Sequence, residues 1–114
     1  MERAVQEKSF HFAVRIVNLC KHLRIENQEY ILSKQLLRSG TSIGANVAEA
    51  QQAQSKLDFV HKLSVSLKET TETAYWLRLL KATDYLSDKA FESIIQDCLE
   101  LEKLLTAIIK SSKE

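Results

Sequence analysis

Proline is absent from the 114 residues, and glycine occurs only twice, at Gly40 and Gly44. A chain so poor in both lacks the residues on which turn-rich β folds and disordered linkers depend. Cysteine is equally scarce. Cys20 and Cys98 are too few for a disulfide framework and are expected to be free thiols. An excess of one charge is missing as well. Sixteen Lys and Arg against fifteen Asp and Glu leave a formal net charge of +1, without the basic surplus of a dedicated nucleic-acid or membrane-surface binder. The balance is local too: residues 1–54 hold seven basic and five acidic side chains, residues 55–114 nine and ten. No apolar run approaches ~18 residues, and Met1 to Ser9 alternates charges instead of leading into an apolar core. No membrane span or signal peptide is therefore expected, and the expected location is the cytoplasm.

What remains is helical periodicity. A chain that is 45% hydrophobic and 27% charged, with almost no helix breakers, predicts a single all-α domain over residues 1–114. The first helix should run from about Arg3 to His22. His11, Arg15, Asn18 and His22 form one polar stripe, while Phe10, Phe12, Ala13, Val14, Ile16, Val17, Leu19 and Leu23 cover nearly all the rest. That apolar face is wider than the ~100° stripe of a helix facing one core, which predicts burial on two sides. Arg24 to Gln28 reads as a break, and Glu29 to about Gln54 as the second helix, with Leu32, Leu36, Ile43, Val47 and Ala50 as its core line. Gly40 is the expected kink. Ser55 suits the cap of a third helix carrying Val60, Leu63, Leu67, Thr70, Ala74 and Leu77 in steps of three and four. After a break at Asp84 to Leu86, Ser87 suits the cap of a fourth, with Phe91, Ile94, Cys98, Leu101, Leu105 and Ile108 in the same spacing. Four helices joined by short loops predict an up-down-up-down antiparallel bundle. In that topology Cys20 and Cys98 differ in height by roughly ~10 Å at 1.5 Å per residue, too far for a disulfide.

Candidate chemistry is thin. His11, His22 and His61 occur singly on charged helix faces. Asp58 and His61 have the spacing of half a di-metal carboxylate site, but such a bundle needs Glu-x-x-His twice, and no second copy is present. No phosphate loop, Cys-x-x-Cys or nucleophile elbow occurs. No catalytic residue, cofactor or metal ligand is therefore assigned.

One constellation stands out. Each glycine costs a helix interior ~1 kcal/mol relative to alanine, so Gly40 and Gly44, one turn apart and continued by Ala48, predict close approach of another backbone. Beside this strip Ser39, Ser42, Asn46 and Glu49 form a polar stripe, and on the third helix Glu69, Glu72 and Trp76 form another. The pattern predicts a polar seam at an interface, in which Arg38 offers its planar fork to Glu69 or Glu72 beside a mostly buried Trp76, with the serines and Asn46 satisfying what remains.

These residues carry a resemblance. The segment Ser33-Lys-Gln-Leu-Leu-Arg-Ser-Gly-Thr-Ser-Ile-Gly-Ala-Asn-Val-Ala-Glu-Ala50, with Gln54 to Leu77, resembles the bacterial four-helix-bundle family first noticed in open reading frames within intervening sequences of large-subunit ribosomal RNA genes. Arg38, Ser42, Ile43, Asn46, Glu49, Glu69, Glu72, Trp76 and Leu77 occupy its recognisable positions. The resemblance implies a small cytoplasmic bundle assembling as a homopentamer, akin to the accessory protein of diversity-generating retroelements, which binds a reverse transcriptase and nucleic acid through a strongly basic surface. This chain lacks that basic excess, so five subunits would carry only about +5 by simple summation and at most weak RNA binding is expected.

Two readings follow. The favoured one is a non-enzymatic, ring-forming scaffold with a protein or RNA partner and no membrane role. The alternative is a carboxylate metal or small-ligand site built from Glu49, Glu69, Glu72 and Asp58.

Overall fold

A computed structural model describes residues 2–113; the two end residues of the 1–114 span lie outside it. The described chain forms four α-helices, α1 (Glu2–Asn27), α2 (Leu32–Ala50), α3 (Lys56–Ala82) and α4 (Asp88–Lys113), with no strand among the described residues. Each helix packs on its neighbour in sequence and α4 closes on α1, giving an antiparallel up-down-up-down bundle of 45 × 21 × 19 Å.

Local chemistry sets the helix ends. Ser55 caps α3 by accepting from the backbone N–H of Asp58, whose carboxylate accepts from Gln54 in return. Ser87 caps α4 through the N–H of Ala90. Acidic Asp88 opens α4 and Lys110 and Lys113 close it, the arrangement that complements the helix dipole. The end of α3 is a left-handed cap at Asp84 (φ 68°), with Tyr85 donating back to Leu80 and Asp84 to Lys81, so an aspartate fills the place usually taken by glycine.

The first connection differs from its expected position. Helix α1 does not stop at His22 but continues to Asn27, and the break falls at residues 28–31 rather than at Arg24 to Gln28. Gln28 adopts a left-handed conformation (φ 49°), the N–H of Glu29 bonds the carbonyl of Leu23, and helix α2 begins only at Leu32. Glu29 thus lies outside α2, two residues ahead of the N-cap Ile31, and caps the helix with its side chain. Its carboxylate accepts from the N–H groups of Ile31, Leu32 and Ser33, at 3.1, 3.0 and 2.7 Å, satisfying three of the donors a helix leaves orphaned. At its other end α2 stops at Ala50, four residues before Gln54, because residues 51–53 tighten into bonds three residues back. Through Gly40 the helix runs without a break.

The core is built from the expected lines. Phe12, Ile16 and Leu23 of α1, Leu36, Ile43 and Val47 of α2, Leu63, Leu77 and Leu80 of α3, and Cys98, Leu101 and Leu105 of α4 are buried. Both thiols are free and buried. Polar atoms inside are all accounted for. Ser66, Thr70 and Thr73 are buried on α3, yet Thr70 bonds the Ser66 carbonyl, Thr73 the Glu69 carbonyl, and Ser66 crosses to the Ile43 carbonyl of α2 at 2.8 Å. No buried side-chain nitrogen or oxygen lacks a partner among the described residues.

Candidate functional site

Helix α2 holds both halves of the predicted constellation, and the fold sends them to different neighbours. Gly40 and Gly44 face α1. A Cβ placed on Gly40 would lie 2.8 Å from both Cγ1 and Cγ2 of Ile16, and one on Gly44 would lie 3.2 Å from the Ser9 carbonyl oxygen. The glycines therefore serve a contact within the subunit, where α1 lies almost on the backbone of α2. The expectation that this strip forms a subunit contact is corrected to that extent: Gly40 is buried by α1 itself, and only the Gly44 to Ala48 end reaches the surface.

On the other side of α2, facing α3, Arg38 reaches both predicted carboxylates. Its Nη1 donates to Glu69 Oε2 at 2.9 Å and its Nη2 to Glu72 Oε2, which also accepts from the indole Nε1 of Trp76 at 3.0 Å. The Tyr75 ring stands edge-on to Trp76, with centroids 5.1 Å apart. The hydrogen bond from Trp76, then that from Arg38, holds the Glu72 carboxyl below its ordinary range, and the bond to Glu72 raises Arg38.

The cluster is only partly desolvated. The Arg38 side chain is 50% exposed, Glu72 35% and Glu69 17%, while Trp76 is mostly buried, packed against the core. The remaining predicted members do not join it. Ser42 donates to the Arg38 carbonyl and Asn46 to the Ser42 carbonyl, both one turn back along α2. Ser39 turns into the core, where it accepts from Thr73 at 3.0 Å. Glu49 pairs with Lys62 at 3.0 Å. The physical reason is length: short side chains on a helix satisfy themselves on the preceding turn more readily than they reach across a seam.

The metal reading finds no geometry. Glu69 and Glu72 share Arg38, Glu49 holds Lys62 and Asp58 accepts from the Gln54 N–H just ahead of α3. No three His, Cys, Asp or Glu side chains converge to hold an ion among the described residues. His11, His22 and His61 are all exposed.

A feature that the spacing announced only as a wide apolar face is located on α1. Phe10 is 72% exposed and Val14 44% exposed. Phe10 also edges a groove of about 410 Å³ between α1 and α2, floored by small residues including Ser9, Ala13, Gly44, Ala45 and Ala48. Gly44, which lets α1 approach, also lines this groove. Tyr30 and Ile31 in the first connection are exposed as well. No helix among the described residues is long and apolar enough to cross a membrane.

The comparisons with known proteins agree with this architecture. A crystal structure at 1.70 Å of a protein of unknown function from the S23 ribosomal protein family of Bacteroides thetaiotaomicron VPI-5482 superposes with a TM-score of 0.95. It is 56% identical, over 96% of this chain and 97% of that one. No curated protein matches the chain. The sequence profile of the 23S rRNA-intervening sequence proteins matches residues 1–107, so the chain belongs to that family.

Proposed function

We propose that this chain is a non-enzymatic assembly protein of the cytoplasm, which closes into a ring of identical subunits and presents repeated surfaces to a protein or RNA partner. The observation that carries the reading is the unburied apolar strip of Phe10 and Val14 beside the α1–α2 groove. Large aromatic side chains held open to water next to an apolar groove mark an interaction site. A head-to-tail contact whose rotation closes gives a ring, and the family resemblance sets the number at five. The partly exposed Arg38, Glu69, Glu72 and Trp76 cluster has the Arg and aromatic content of an interface centre and serves as a second surface of the assembled ring.

Light scattering at micromolar concentration tests the assembly. The expected mass is a fivefold multiple of the 13.0 kDa chain, and a mass near 13.0 kDa contradicts it. The charges argue for weak RNA contact. A formal net charge of +1 gives the chain almost no basic excess to neutralise phosphates, and Arg3, Lys8, Arg15, Arg38, Lys62 and Lys81 each already pair with a carboxylate. Fluorescence anisotropy with structured RNA at ~0.15 M salt should show no binding tighter than the ~10⁻⁴–10⁻⁶ M of non-specific contacts. Sub-micromolar affinity would make RNA the partner.

A further inference from the structure

The four seams of the bundle are not equally made. Helices α2 and α3 share the most extensive contact, tied by Ser66 to the Ile43 carbonyl, by Thr73 to Ser39 and by Arg38 to Glu69 and Glu72. Helix α1 is fitted to α2 at Gly40 and Gly44, and α4 is fixed to α3 by Lys81 over the Phe91 ring and by the Cys98 thiol on the Thr70 carbonyl. The closure of α1 on α4 is much the sparsest of the four. It is bridged at the surface by ion pairs, Lys8 with Glu100 at 2.6 Å and Arg15 with Asp97 at 2.7 Å, all four side chains 39–53% exposed. At the end where α4 begins, the seam already gapes into a cleft of about 400 Å³ between Arg15 and Leu19 on one side and Leu86, Ala90 and Ile94 on the other.

We propose that the α1–α4 closure is a salt-sensitive latch: the bundle opens locally there, about an α2–α3 spine, while the other three seams stay formed. This inference goes beyond the proposed assembly function and does not depend on it. Local opening selects the region with the fewest buried contacts, and pairs exposed to solvent are the ones that salt screens. The first and last helices are joined by no loop, so their separation strains no connection. What opening uncovers is the bundle interior, which holds Cys20 of α1, its thiol on the Ser33 carbonyl of α2, and Cys98 of α4, its thiol on the Thr70 carbonyl of α3, both enclosed when the latch is shut.

The two native thiols report the opening. Burial pushes Cys20 up to about 11 and Cys98 up to about 12, so in the closed bundle neither supplies much thiolate to a thiol reagent near neutral pH. Labelling of the folded protein with 5,5′-dithiobis(2-nitrobenzoate) should accelerate about threefold between about 0.02 M and about 0.5 M NaCl as the pairs are screened. The variant Lys8→Gln/Asp97→Asn should label about tenfold faster at low salt and lose most of the salt dependence. A control removes the corresponding surface pair on the spine, Glu49→Gln, and should label at the wild-type rate. Labelling in low urea distinguishes local from global opening, since a small opening exposes little surface and its rate is nearly independent of denaturant. Equal acceleration in Glu49→Gln, no response to salt, or a urea dependence matching global unfolding would each overturn the latch.

Discussion

The two faces of α2 show two ways of joining helices. Toward α1 the contact is one of shape: Gly40 leaves no room for a methyl group beneath Ile16, and Gly44 sits on the Ser9 carbonyl. Toward α3 the contact is one of hydrogen bonds, from the buried Ser66 and Ser39–Thr73 links to the surface fork of Arg38 on Glu69 and Glu72. A shape contact fails when volume changes by a single methyl, because a packed interior cannot absorb it. A hydrogen-bonded contact tolerates loss at its exposed rim, where water replaces the missing partner, and is sensitive only where the partners are buried.

The largest effect expected is at Ile16. Truncation to alanine should cost ~2–5 kcal/mol of unfolding free energy by removing a fully buried side chain. The sharper use of that variant is as a background. Gly40→Ala alone should destabilise by about 1–2 kcal/mol, since overpacking costs ~1–3 and helix propensity returns up to ~1. In Ile16→Ala the two contacts at 2.8 Å are gone and only the one to the Cβ of residue 16, at 3.2 Å, remains, so the same substitution should cost clearly less, which a double-mutant cycle by urea denaturation checks. An equally destabilising Gly40→Ala in both backgrounds would mean that Ile16 is not what the glycine accommodates.

The α1–α2 connection lies between the two faces, and its cap adds a third test. Burial opposes the charge on Glu29, but the N–H groups of Leu32, Ser33 and Ile31 outweigh it, and the carboxyl lies below its ordinary range. A folded value below the unfolded ~4.3 means that the cap's contribution is present above about pH 4.3 and is lost as pH falls through the lower folded value. Glu29→Gln should therefore cost about 0.5–2 kcal/mol at pH 7 and flatten the acid limb of a melting-temperature profile. An acid limb identical to wild type would contradict the role of the cap.

The smallest effect is predicted for the most conspicuous cluster. A buried pair broken on one side costs ~3–5 kcal/mol, but Arg38 is half in water, so Arg38→Ala should cost ~1 kcal/mol or less in the subunit. Thermal unfolding checks this. A loss of several kcal/mol would show that the cluster is covered in solution, which would place it inside an assembly interface.

How far the sequence could be read follows the same division. Periodicity announced four helices, the core lines of α3 and α4, the caps at Ser55 and Ser87, and the Arg38 pairing with Glu69 and Glu72, since these depend on spacing along one helix or on complementary charge. The glycine pair announced close approach without naming the neighbour, because two glycines look the same whether α1 or another subunit lies on them. Glu29 escaped notice as a cap: a carboxylate reaching forward to three N–H groups resembles any acidic residue in a first helical turn. The self-satisfied Ser42 and Asn46 were read as seam partners for the converse reason, that polarity along a stripe does not tell a bond one turn back from a bond across.

The glycine strip is spent inside the subunit, whereas the exposed apolar strip of α1 is the face proposed for assembly. Light scattering on Phe10→Glu beside the unmutated chain tests it most directly, with circular dichroism to verify the fold, because Phe10 is exposed in the subunit and its replacement removes no core contact. The prediction is a ring mass for the unmutated chain and a mass near 13.0 kDa for the variant at unchanged helicity. A variant that assembles as fully as the unmutated chain would contradict the assignment of that face.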